Sequence, residues 1–117
     1  MKKDNVIQVK SFAFAIKAVN TFKALQSEKE YILSKQFLRS STSIGANVEE
    51  AIGAQSKADF ISKLSIAYKE ARETLYWLRL LVATEYLTKE ITESLIADVE
   101  ELCRIIAANS THVQTNS

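Results

Sequence analysis

The chain contains no proline and only two glycines, Gly45 and Gly53. An all-β protein needs turn chemistry at intervals of roughly ten residues, and that chemistry rests on these two residue types above all. Long helices with short polar connections are the remaining way for 117 residues, 47% of them hydrophobic, to bury a core. No repeat or linker divides the chain, so a single domain over 1–117 is expected.

Apolar periodicity resolves four helices. The first is expected over about 6–25, with Phe12, Ile16, Val19 and Phe22 as its core stripe, Val9 extending it, and Phe14, Ala18 and Leu25 widening it. The second, about 30–52, turns Tyr31, Leu38, Ile44, Val48 and either Ala51 or Ile52 inward. Ser56-Lys57-Ala58-Asp59 reads as a helix start, because a serine oxygen can accept from an early amide and the aspartate suits the positive end. In the third helix, about 57–84, Ile61, Leu64, Tyr68, Ala71, Leu75, Leu78 and Val82 alternate steps of three and four. That heptad seam predicts near-parallel helix packing. Thr88 caps a fourth helix, about 88–108, with Ile91, Leu95, Val99, Leu102 and Ile106 facing inward and a polar tail over 109–117 expected to fray. Short connections make successive helices antiparallel neighbours. The expected fold is an all-α, up-down-up-down four-helix bundle.

The same composition narrows the chemistry. One histidine, His112 in the tail, and one cysteine, Cys103, leave no Ser-His or Cys-His device and no convergent metal ligands. Two glycines supply no phosphate-cradling loop of the usual kinds. A non-enzymatic protein with no cofactor and no metal is expected. The lone cysteine suits a reducing compartment. No apolar run approaches the roughly 20 residues of a membrane span, and no signal peptide opens the sequence. A cytoplasmic protein without a membrane partner follows as an expectation.

Two surfaces stand out as candidates for interaction. Residues 76–83, YWLRLLVA, are apolar nearly all the way round the helix. Leu78 and Val82 belong to the seam, so Tyr76, Trp77, Leu80 and Leu81 are expected to bury a subunit interface in a homo-oligomer; a wider core stripe is the alternative. Charge is also uneven. Residues 1–39 carry eight Lys/Arg against three Asp/Glu, a balance of +5, whereas residues 86–104 balance at −3. Lys10 and Lys17 share a face of helix one, and Lys35 and Arg39 share a face of helix two. These four are the candidate contact for RNA or DNA, repeated in an oligomer. A partner that is another protein, with no nucleic-acid affinity, is the competing expectation.

Residues 36–51, QFLRSSTSIGANVEEA, hold four hydroxyl side chains in a row within a helical pattern. Ser41 falls on the inward stripe with Phe37, Ile44, Val48 and Ala51. Ser40, Ser43, Asn47 and Glu50 fall on the next strip round, at steps of three, four and three. Small residues there allow a neighbouring helix to approach closely, with Asn47 and Glu50 bridging to backbone or to Arg72. A ligand site is the alternative use of these groups.

This stretch also carries a resemblance. Gln36, Arg39, Ser43, Ile44, Asn47, Glu50, Asp59, Phe60, Ser65, Ile66, Ala67 and Glu73 fit the pattern of the bacterial four-helix bundle proteins of intervening sequences in large-subunit ribosomal RNA genes. The similarity spans essentially the whole chain. Leu38 stands in place of an arginine of the pattern, Gly45 of a frequent proline, Ala51 of a glycine, and Lys69-Glu70 of a usual Gly-Ser. The resemblance implies a homo-oligomeric bundle, characteristically a pentamer with a central pore. Ser43, Asn47, Glu50, Ser65 and Glu73 would be its structural polar residues. More distantly, the chain is similar to the accessory variability determinant proteins of retroelements, whose basic pentamers bind nucleic acid and the reverse transcriptase.

Overall fold

A computed structural model describes residues 5–115, with side chains described over 6–110. Four helices account for almost all of the described chain: α1 (Asn5–Ser27), α2 (Leu33–Ile52), α3 (Lys57–Ala83) and α4 (Lys89–Thr115). Each helix packs on its neighbours in the sequence, and α4 returns to α1, so the four form a closed bundle. Cross-helix pairs run in opposite senses along the chain. Gln8 meets Glu49 and Gln26 meets Ser34 between α1 and α2, while Glu50 meets Lys63 and Ser40 meets Thr74 between α2 and α3.

The ends of the helices follow local chemistry. The Ser56 hydroxyl accepts from the Asp59 amide at 3.1 Å, and the Thr88 hydroxyl accepts from Ile91 at 3.3 Å, as the sequence predicts. The two turns at the other end are alike. Lys29 and Glu85 adopt left-handed backbone angles, φ 63° and φ 68°. The amide of Glu30 donates to the Leu25 carbonyl and that of Lys29 to Gln26; Tyr86 to Leu81 and Glu85 to Val82 repeat the pattern. Both are Schellman closures with a charged residue where glycine is usual.

That first turn moves the start of α2 from the expected residue 30 to Leu33. Glu30 is not a helical residue at all but the cap of the helix. Its carboxylate accepts from the amides of Ser34 at 2.6 Å, Leu33 at 3.1 Å and Ile32 at 3.2 Å, and the side chain is buried. Burial raises the pKa of the carboxyl, but the amide bonds from Ser34, Leu33 and Ile32 outweigh it, so the net shift is downward. At the far end α4 continues through Thr115, past the expected end at 108, so residues 109–115 are helical rather than a frayed tail. The side chain of His112 and residues 116 and 117 lie outside the described residues, as do residues 1–4 with Lys2 and Lys3.

The core is built from Phe14, Leu25, Phe37, Ile44, Leu64, Leu78, Leu81, Leu102 and Ile106, with small residues between them. For α1 this corrects the expected face. Ile7, Ser11, Phe14, Ala18 and Leu25 turn inward, and Val9, Phe12, Ile16 and Val19 turn out to solvent, leaving Phe22 half-buried. The reason lies in α2. A Cβ on Gly45 would stand 3.4 Å from the Ser11 carbonyl oxygen, so the two helices approach closely there and the small Ser11 faces the contact, while Phe14 and Leu25 of the same side fill the core. Three other expected core residues are also exposed, one of them Tyr68, because the buried stripe of α3 runs through Ala67, Ala71, Thr74, Leu78 and Leu81. Tyr31 lies in the turn ahead of α2, and Ile91 sits in the first turn of α4, where α1 covers it poorly.

Candidate functional site

The outward face of α1 is the largest departure from an ordinary soluble helix. Val9, Phe12, Ile16 and Val19 step by three, four and three, and Phe12, at 66% exposed, is the most open of the four. Val9 and Ile16 are about half exposed, and Val6 continues the strip toward the N-terminus. This is heptad spacing displayed to solvent, the pattern a helix shows to another helix. Polar residues on α1 lie to either side of it. Gln8 donates to Glu49 of α2 at 2.7 Å, while Lys10 and Lys17 reach the other way, to α4.

The stretch 76–83 is mostly absorbed by the chain itself. Leu78 and Leu81 are fully buried, Trp77, Leu80 and Val82 are half-buried, and of the four candidate interface residues only Tyr76 is exposed. Leu81 is therefore a core residue and not available to a second subunit. The broad arc has a simple cause: α3 lies between α2 and α4 and packs on both. The indole Nε1 of Trp77 donates to Glu73 at 2.8 Å, and the Tyr76 ring stands edge-on to Trp77 with centroids 5.0 Å apart.

The basic candidates are largely paired inside the chain. Lys10 bonds Glu101 at 3.1 Å and Lys17 bonds Asp98 at 2.6 Å, so the basic first helix lies against the acidic fourth. Two of the bases of the first helix are thus matched by acids of the fourth. Arg39 bridges Glu70 and Glu73 of α3. Its bond to Glu73 holds the guanidinium pKa up, and the same bond, helped by Trp77, holds the Glu73 carboxyl below the ordinary glutamate range. Of the four, only Lys35 forms no ion pair among the described residues.

The hydroxyl run resolves into close packing on two sides. Thr74 Oγ1 lies 2.9 Å from Ser40 Oγ across α2 and α3, both fully buried. Ser41 is equally buried, yet its Oγ has no partner. Ser43 is only half-buried, and its carbonyl accepts from Asn47 Nδ2 at 2.8 Å within the helix. Glu50 pairs with Lys63 at 2.9 Å, not with Arg72, which lies on the opposite side of α3 toward Cys103 of α4. Ser65 is exposed. Burial raises the Cys103 thiol pKa against the opposing pull of Arg72.

No group of three or more His, Cys, Asp or Glu side chains converges among the described residues. An apolar cleft of about 230 Å³ opens at one end of the bundle between Ile7, Val48, Phe60, Leu64 and Asn109. A shallower groove of about 420 Å³ separates α1 from α4 beside Lys17, Thr21, Ile91 and Leu95. No described helix is long and apolar enough to cross a membrane.

No curated protein matches the chain. Among solved structures, it is 52% identical to a protein described as having unknown function, from the S23 ribosomal protein family of Bacteroides thetaiotaomicron VPI-5482. That likeness covers 94% of this chain and 99% of the other, with a TM-score of 0.92. The family model for the 23S rRNA-intervening sequence protein matches residues 3–108, so the chain belongs to that family.

Proposed function

We propose that the protein is an up-down-up-down antiparallel bundle that assembles with copies of itself through the outer face of α1. It acts as a non-enzymatic assembly or adaptor module. The observation that carries this reading is the exposed heptad strip of Val9, Phe12, Ile16 and Val19. Fully burying such side chains is worth roughly 1.5–3 kcal/mol each. They are already about half covered, so the strip offers on the order of 4 kcal/mol per copy. Association costs at least about that much, so one strip alone is marginal, and a stable contact needs apolar surface from both sides. A second copy of this chain supplies it. The homo-oligomer implied by the family resemblance, a pentamer, agrees with this reading.

The nucleic-acid part of the earlier expectation finds little support in Lys10, Lys17 and Arg39, whose charges are matched by neighbours. A component of the ribosome would also be expected to carry a strong positive charge, and this chain carries +1. The reading as a non-enzyme is supported by Cys103, because a thiol whose pKa is raised by burial is a poor nucleophile. Multi-angle light scattering at micromolar concentration tests the assembly. The wild-type protein is expected to scatter as an oligomer, and Phe12→Glu combined with Ile16→Glu as a folded monomer. A wild-type monomer, or an oligomer that survives the double change, refutes the reading.

A further inference from the structure

The outer side of α3 carries a second kind of surface. Tyr68, Arg72, Tyr76 and Arg79 step by four, four and three, so they stand one above another along the helix. All four are exposed. The two arginines are one heptad apart, about 10.5 Å along the axis, with a phenol ring between them. Unlike Lys10, Lys17, Arg39 and Lys63, neither forms an ion pair among the described residues. Lys69 lies on the same side of the helix, and Arg104 of α4 is exposed near Cys103, where Arg72 also reaches. Glu100 borders the strip on the α4 side.

The middle ring is held in place. Tyr76 stands at 72° to Trp77, and Trp77 is anchored by its bond to Glu73, which in turn is held by Arg39. A phenol fixed in this way loses little freedom when a flat group stacks on it. Beside it Arg79, Leu80 and Ala83 line a groove of about 260 Å³.

We propose that the strip formed by Tyr68, Arg72, Tyr76 and Arg79 binds single-stranded nucleic acid, with guanidinium groups on phosphates and phenol rings stacked on bases. Alternating cations and aromatic rings suit a ligand that alternates anionic and flat apolar groups. An acidic peptide would use the arginines and leave the rings without a role. A duplex would hide the base faces on which the rings could stack. Two arginines give weak binding at physiological salt, and Glu100 weakens it further. The inference rests on the assembly reading only in that an oligomer repeats the strip and multiplies phosphate contacts.

Fluorescence anisotropy with a labelled oligouridylate of about 20 nucleotides, longer than a single such strip can engage, tests it. Binding by the wild-type protein is expected at about 50 mM salt, weakening steeply as salt rises. Arg72→Gln with Arg79→Gln should lower affinity at least tenfold. Tyr76→Leu should lower it severalfold while leaving the salt dependence unchanged, which a purely electrostatic contact would not show. Circular dichroism and light scattering on the same samples separate a lost site from a lost fold or a lost oligomer. The proposal is overturned if the wild type does not bind, or if either variant binds as tightly as the wild type while folded. It is equally overturned if a labelled polyglutamate binds as well as the oligonucleotide.

Discussion

Replacing Glu30 with alanine should destabilise the bundle well beyond an ordinary surface change. Three amides at the start of α2 lose their common acceptor: Ser34 at 2.6 Å, Leu33 at 3.1 Å and Ile32 at 3.2 Å. They are not equally exposed to rescue by water. Ile32 is open to solvent and Leu33 partly so, but Ser34 is fully buried. The loss is therefore one charge-assisted bond to a buried amide, about 1.5–3 kcal/mol, plus smaller terms for the other two. Favourable placement of a carboxylate at the positive end of the helix adds a few tenths. The expected total is about 2–3 kcal/mol, or a fall in Tm of roughly 8–15 °C for a domain of this size. Glu30→Gln, which retains one acceptor oxygen, should lose less. Thermal unfolding followed by far-UV circular dichroism, at one protein concentration, measures both. The pH dependence supplies a second check. The folded-state pKa lies below that of the unfolded chain, so the stabilisation is complete above about 4.3 and fades as pH falls through the depressed value. The gap between wild type and Glu30→Ala should thus narrow between pH 7 and pH 3. An unchanged Tm at pH 7, or a gap that does not vary with pH, would refute the capping role.

Two neighbouring serines should respond in opposite senses. Ser40→Ala removes the buried partner of Thr74 and should cost about 1 kcal/mol, while Ser41→Ala removes an unpaired hydroxyl and should be neutral or stabilising by up to about 1 kcal/mol. Urea unfolding with a common slope distinguishes them, and equal losses would contradict the assignment. Gly45→Ala places a methyl at ordinary contact distance from Ser11 in mid-helix, so it should raise stability by about 0.5–1 kcal/mol. Gly45→Leu should instead lower it by about 1–3 kcal/mol through overpacking.

The features legible in the sequence are those set within one helix. The hydroxyl caps at Ser56 and Thr88 depend on residues a turn apart, and the structure follows them. The heptad period of α3 also holds, but its buried stripe is turned to Leu64, Ala67, Ala71, Thr74, Leu78 and Leu81, leaving Tyr68 exposed. The phase of α1 was not legible from its own residues. Both of its stripes are apolar with helical period, and the larger side chains favoured the wrong one. The discriminating information lay in another helix, where Gly45 allows α2 to come close to α1 at Ser11. The ion pairing of the basic residues was hidden for a similar reason. Nothing in the spacing of Lys10 and Lys17 shows that Glu101 and Asp98 will stand opposite them. Glu30 was missed because it caps from two residues ahead of the usual position, through a turn that only a left-handed Lys29 can make.

The uneven attachment of α1 has a consequence for motion. On one side it packs closely on α2; on the other it meets α4 over a smaller contact, tied by two exposed ion pairs that salt screens. In an isolated subunit, such an end helix is expected to open more readily than α2 or α3, and its amides would exchange with solvent through that partial opening. A second copy docked on Phe12 and Ile16 covers one of the two end helices, which hold less firmly to the bundle than α2 and α3 do. Assembly then raises the local opening energy of α1 toward the global one, so that an edge of the subunit becomes an interior of the oligomer.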